Sequence, residues 1–193
     1  MEKKNRQMNK KQLLLAAVIS FVAIASCNKY GFKVGKPWNP EETPFFDDGV
    51  DVVNNLADLS GKWRQEHERY FDARVQLADL IAEIEILSVQ TSSDLESDTA
   101  KRIEVRIVDI LYGKAPSETI SLVSRTHSPG YELVLRNEVH LTGRFFLFVR
   151  WFDDENHHPG NHFHLSPSSE EIRSALANRL VFRKHAEKSL KKR

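Results

Sequence analysis

Apolar and polar positions change their spacing several times along the chain, and each change marks an element. Between residues 51 and 75, Val52, Leu56, Leu59, Trp63 and Tyr70 recur at steps of three, four or seven. That spacing predicts a helix with those side chains on its inner face, and Ser60-Gly61 is placed to break it into two pieces. From residue 79 the period becomes two. Over Leu80 to Val89, Ala82, Ile84 and Ile86 fall on one face of a strand, with Glu83 and Glu85 on a solvated opposite face. Arg102 to Tyr112 alternates more clearly, with Ile103, Val105 and Ile107 against Arg102, Glu104 and Arg106. Beyond Ile107 the apolar phase shifts to Val108, Ile110 and Tyr112. A one-residue slip in a two-residue period predicts a bulge. Gly113-Lys114-Ala115-Pro116 makes a turn, and Thr119 to Ser124 is a further short strand followed by a loop.

Arg144 to Phe152 reads Arg-Phe-Phe-Leu-Phe-Val-Arg-Trp-Phe, apolar on both faces apart from Arg144 and Arg150. A strand apolar on both faces is covered on both. Phe146 and Phe148 are expected under a helix, and Phe145, Leu147 and Val149 in the interior of the sheet. His162 to Leu165 is another short strand. Ser168-Ser169-Glu170-Glu171, after Pro167, is a capping box. It starts a final helix with Ile172, Leu176 and Leu180 inward and a basic tail from Arg183 to Arg193 that frays into solvent. The elements together give a mainly β, α+β domain: a small OB-like antiparallel barrel or curled sheet with an N-terminal and a C-terminal helix.

The start of the chain has a different organisation. Lys3, Lys4, Arg6, Lys10 and Lys11 precede an uncharged, mostly apolar run from Leu13 to Ser26, and small residues close it just before Cys27. The run is shorter than the roughly 20 apolar residues of a spanning helix and nearer the roughly 7–15 of a signal-peptide core. Cys27 is the only cysteine of the 193 residues, so no internal disulfide can form. The first 26 residues hold five of the 28 Lys and Arg but one of the 27 Asp and Glu. The remainder is therefore slightly acidic, about −3, which argues against a nucleic-acid role, since binding phosphates needs a basic surface.

Ile24-Ala25-Ser26-Cys27 resembles the lipobox of bacterial lipoproteins, with a branched apolar residue and two small residues before the cysteine. The resemblance implies a diacylglyceryl group on the Cys27 thiol, cleavage before Cys27 and acylation of the new amino group. Two or more acyl chains hold a protein stably on a membrane. Residue 28 is Asn rather than Asp, and by the same resemblance the outer membrane, facing the periplasm, is the expected site. The domain plan that follows has a signal peptide over 1–26, the lipidated cysteine and a flexible tether over 27–50, and one globular domain with its basic tail over 51–193. The tether is inferred from Gly31, Gly35, Pro37, Pro40 and Pro44, although Trp38, Phe45 and Phe46 are able to dock on the domain.

Over residues 77–152 the order of elements also resembles the oligonucleotide-binding-type barrels of the tissue-inhibitor-of-metalloproteinase and netrin-like superfamily. The points of likeness are Ala78-Asp79 before the first strand, Gly113-Lys114 after the second, and Gly143 before a strand containing Leu147-Phe148. That family has a Lys-Gly where this chain has the reverse order, and its disulfides have no counterpart here. Its protease-inhibiting chemistry uses a free N-terminal cysteine, so inhibition does not carry over, and fold alone would not license it.

Candidate chemistry is confined to one place. His157, His158, His162 and His164 follow Asp153, Asp154 and Glu155, with Pro159-Gly160 turning the chain between the pairs. His162 and His164, two apart on a strand, share a face, and neutral imidazoles with a carboxylate would suit zinc, copper or nickel. The plainer reading is a polar hairpin with Phe163 and Leu165 pointing inward. No Gly-x-Ser-x-Gly elbow is present. At His67-Glu68 a Phe stands at position 71, where the two-histidine metalloprotease motif needs its second histidine. The expectation is a non-enzymatic, lipid-anchored envelope protein without a cofactor, binding a protein, peptide or envelope component. The alternative is a metal-binding lipoprotein using His157, His158, His162 and His164.

Overall fold

The computed structural model describes residues 36–53, 58–93, 99–154 and 159–190. Cys27, Leu56, His157 and His158 lie outside them. Six strands form one sheet: β1 Gly49–Val50, β2 Leu80–Ser93, β3 Thr99–Gly113, β4 Thr119–Arg125, β5 Gly143–Asp153 and β6 Pro159–Pro167. The spatial order is β1-β6-β5-β2-β3-β4, antiparallel throughout except that β1 runs parallel to β6. Among the described residues three α-helices accompany it: α1 Gly61–Leu77, α2 Tyr131–Asn137 and α3 Glu170–Leu190. The sheet curls into a half-barrel, which fits the expected α+β curled sheet, and α2 packs against β1, β3 and β4.

The two-sided apolar strand organises the rest. In β5, Phe145 through Val149 are all buried. Phe146 and Phe148 join a cluster with Ile81, Phe71 and Val75 of α1, and Ile172, Leu176 and Leu180 of α3. Phe71 and Phe148 meet edge to face at 5.7 Å. On the other face Leu147 and Val149 are fully buried and register with Ala82, Leu80, Leu165 and Phe163 of the flanking strands. Residues opposite one another in register share a face, so each face of β5 carries its own core, as the sequence leads one to expect.

The β2–β3 register shifts at three places, and one of them falls where the phase slips. Ile84 pairs with Ile107 and Glu83 with Asp109, leaving Val108 as the extra residue. The C-terminal helix is capped by Ser169, whose Oγ accepts from the Ile172 N–H at 3.2 Å; the expected box does not form, because Ser168 donates to Glu83 instead and Ile172 stands three residues after Ser169. Arg183 to Leu190 of the basic tail continue as helix rather than fraying, and Lys191, Lys192 and Arg193 lie outside the described residues.

Other expectations change as well. Residues 51–53 are not helical, and α1 begins only at Gly61. Its buried face is Phe71, Arg74 and Val75, while Val52 and Trp63 are exposed, Trp63 at 68%. The apparent periodicity spanned two differently folded stretches. Glu83 is not solvated: Arg173 and Ser168 donate to its Oε1 at 2.7 and 2.8 Å, Arg144 lies nearby, and the Arg173 bond together with these partners holds its carboxyl below the usual range against the effect of burial. The loop before Gly143 contains the short helix α2.

Finally, residues 36–50 are part of the fold rather than a free spacer. Pro37 bridges to Asp153, and the Asp153 N–H donates to the Lys36 carbonyl at 2.8 Å. Phe46 is fully buried in the helix-side core. Arg150 grips Glu42 with Nε and a terminal nitrogen (2.6 and 3.2 Å) and reaches Asp79 at 2.9 Å, so one guanidinium ties this strap to two elements of the domain.

Candidate functional site

The strap ends in Asp47-Asp48-Gly49, which runs beside β6 at the sheet edge, the Asp48 N–H donating to the Phe163 carbonyl at 2.9 Å and Gly49 pairing with His164, so that its carboxylates reach the helix-side face of β6. On that face β6 presents His162, His164 and Ser166, in register with Arg150, Phe148 and Phe146. The alternation that sends Phe163 and Leu165 into the sheet interior sends the two histidines toward the strap. Asp48 has φ of 56°, a left-handed conformation that aspartate tolerates better than most residues. The turn brings Asp47 and Asp48 to adjacent histidines. Asp47 Oδ1 lies 2.7 Å from His164 Nδ1, and Asp48 Oδ2 lies 2.9 Å from His162 Nδ1.

His164 is the centre of the arrangement. Its side chain is 2% exposed, and its other nitrogen, Nε2, lies 3.1 Å from Asp51 Oδ1, an ion-pair contact off the line of a good hydrogen bond. Ser166 Oγ donates to Asp51 Oδ2 at 2.7 Å, Arg74 approaches the same oxygen at 3.3 Å, and His67 Nε2 at 3.5 Å. Arg74 is held in turn by its Nε donating to the Phe45 carbonyl at 2.9 Å. A carboxylate beside each ring nitrogen favours the protonated form of the ring. Burial and Arg74 push its pKa down, but Asp51 and Asp47 outweigh them, and it lies above the ordinary value. Burial pushes both carboxyls up, yet His164 and Arg74 hold Asp47 below, and with His67 hold Asp51 well below, the usual carboxylate range.

His162 differs. Its side chain is 25% exposed, stacked on Phe152 with centroids 4.9 Å apart and tilted against Trp38 at 4.3 Å. Asp48 also accepts from Ser128 Oγ (2.9 Å) and the Phe163 N–H (3.2 Å). A serine, a histidine and an aspartate therefore meet, but in the wrong order for acyl transfer. The hydroxyl binds the carboxylate, whereas a nucleophile must bind the imidazole.

The spacing of His162 and His164 was the visible signal, and the structure does place them on one face. It engages their Nδ1 atoms with different aspartates. Among the described residues no group of three or more His, Cys, Asp and Glu side chains is placed to hold a metal ion. The partners Asp47, Asp48, Asp51 and Arg74 are not singled out by the sequence, and His67 is marked there only by a metalloprotease motif that Phe71 breaks. The one local cue was Asp-Asp-Gly, a turn signal. The chain matches no protein-family model, no curated protein and no solved structure.

Proposed function

We propose that this is a lipid-anchored cell-envelope protein, held through Cys27 at the outer membrane facing the periplasm, whose domain is a non-enzymatic binding module. The observation that carries the reading is the N-terminal sequence. Basic residues, the apolar run Leu13 to Ser26 and Ile24-Ala25-Ser26-Cys27 stand in the order an export and lipidation signal needs. A binding role is favoured by the character of the polar clusters. The charges of Asp47, Asp51, His164 and Arg74 are spent on one another, which suits a scaffold better than a reacting centre. A metal-handling role would have to draw His164 away from both of its aspartates. The partner expected is a protein, peptide or envelope component.

Metabolic labelling with palmitate tests the anchor. The wild-type chain should take label and fractionate with membranes, and Cys27→Ser should take none. Label retained in Cys27→Ser would overturn the lipoprotein reading.

A further inference from the structure

The two ends of the half-barrel differ. Leu80, the start of β2, registers with Gly113, the end of β3, and with Val149 of β5, which runs on to Asp153. The same end holds the C-terminus of α1 and the last turns of α3. Arg183 donates to the Val75 and Ala78 carbonyls at 2.6 and 2.9 Å, and the Tyr112 hydroxyl donates to Glu187 at 2.7 Å. The strap also enters here, at Lys36 and Pro37 beside Asp153. Chain entry and the end of α3 therefore share one end of the domain. The paired ends of β2 and β3 at Ser93 and Thr99 lie at the other, and the exposed Leu87 stands seven residues along β2 in that direction.

The end of α3 has an unusual surface. Phe182 is 74% and Leu190 71% exposed, and Val181 is exposed beside them. Lys184 and Lys188 are exposed on the same turns, on the Val181 side of the helix, and Lys114 in the β3–β4 turn and Lys36 at the chain entry are exposed too. Acids at this end include Asp79, Asp153, Asp154 and Glu187, and Glu118 is exposed in the same β3–β4 turn as Lys114. Arg150 engages Asp79, and Arg183 and Tyr112 engage Glu187. Large apolar side chains among lysines on a helix suit a bilayer interface, where the apolar groups enter the acyl boundary and the ammonium groups meet anionic headgroups.

Chain length connects this surface to a membrane. Lys36 is nine residues beyond Cys27, and an extended chain spans at most about 3.3–3.6 Å per residue, about 30 Å in all. We propose that the end of the domain carrying Phe182, Leu190, Lys184 and Lys188 rests on the anionic bilayer that holds the N-terminus, leaving the β2–β3 end to face outward. The inference rests on the membrane attachment proposed above. Acyl groups on Cys27, or the apolar run before it, would bring the chain in at the same end.

Single cysteines test it in the full chain, because Cys27 is the only native one and lipidation blocks its thiol. Phe182→Cys and Leu87→Cys, each carrying a fluorophore, are reconstituted into phosphatidylglycerol–phosphatidylcholine vesicles containing nitroxide lipids. The probe at 182 should be quenched far more than the probe at 87. Adding Lys184→Glu and Lys188→Glu, or using phosphatidylcholine alone, should bring it down to the level at 87. Equal quenching, or stronger quenching at 87, overturns the proposal. So does efficient disulfide cross-linking of the unlabelled Phe182→Cys chain to a second copy in the vesicles, which would assign the face to a dimer. Palmitate labelling reads the anchor separately, so a failed anchor and a failed docking face give different results.

Discussion

Nε2 of His164 lies 3.1 Å from Oδ1 of Asp51, while Nδ1 of the same ring is bound to Asp47. The pair locks β6 to the strap and, through Arg74 and His67, to α1. Removing one member of a buried ionic set strands the others, at a cost of about 3–5 kcal/mol. His164→Ala should therefore destabilise the domain by that order in urea denaturation. A loss under about 0.5 kcal/mol, the range of ordinary surface substitutions, would mean that the cluster is not structural.

The same cluster gives stability a pH window. Asp47 and Asp51 titrate below their ordinary values in the fold. Their contribution is complete above the unfolded carboxylate pKa of about 3.9 and is lost as pH falls through the lowered values. His164 titrates above its ordinary value. Its contribution is complete below the unfolded pKa of about 6.5 and is lost as pH rises through the raised one. Stability from this cluster should peak between about pH 4 and 6.5. In His164→Gln the decline on the alkaline side should shrink. Identical alkaline slopes in the two proteins would refute the imidazolium.

Phe146 and Phe148 sit between the sheet and the two long helices. Either one truncated to Ala should cost about 3–5 kcal/mol, the usual figure for a buried Phe, read as a lowered melting temperature. If both variants melt like the wild type, the helix-side core does not bear on stability.

This strand was legible because its signal is local. Five consecutive apolar residues, Phe145 to Val149, leave no polar face to put in water. The bulge was legible for the same reason, since Val108 breaks a period that its own neighbours set. The strap was not. Its prolines and glycines read as spacer, and what fixes it is distant: Asp48 binds His162 across 114 residues and Glu42 binds Arg150 across 108. Helix α2 was missed because seven residues make only two turns, too few for a period. Leu133 and Leu135 in it are exposed, so its apolar positions do not mark an inner face. Of the candidate site, the histidine pair could be read and its aspartates could not.

Gly49 and Gly130 bring the strap and the start of α2 into backbone contact, and the Gly130 N–H donates to the Asp47 carbonyl at 2.8 Å. A Cβ at position 130 would stand 2.3 Å from the Gly49 Cα, backbone that cannot rotate away. Gly130→Ala should therefore push α2 off β1, costing about 1–3 kcal/mol as overpacking does. The separation should appear as faster hydrogen exchange of the α2 amides than of the β5 amides. Unchanged α2 protection would show that the contact relaxes without consequence.

Asp48 separates backbone strain from side-chain bonding. Its carboxylate takes three hydrogen bonds, from His162, Ser128 and the Phe163 N–H, while its φ of 56° is unfavourable for any residue with a Cβ. Asp48→Ala loses the bonds and keeps the strain. Asp48→Gly loses the same bonds and relieves the strain, and a left-handed residue with a Cβ costs roughly 1–2 kcal/mol. Both variants should be less stable than the wild type, because the imidazole of His162 and the Phe163 N–H lose their acceptor. The Gly variant should nevertheless be the more stable of the two, by up to about 1 kcal/mol once the greater freedom of glycine in the unfolded chain is set against the relief. Parallel urea titrations of the two variants measure that difference directly. An alanine variant at least as stable as the glycine one would mean that the turn at Asp48 is not held in the left-handed conformation.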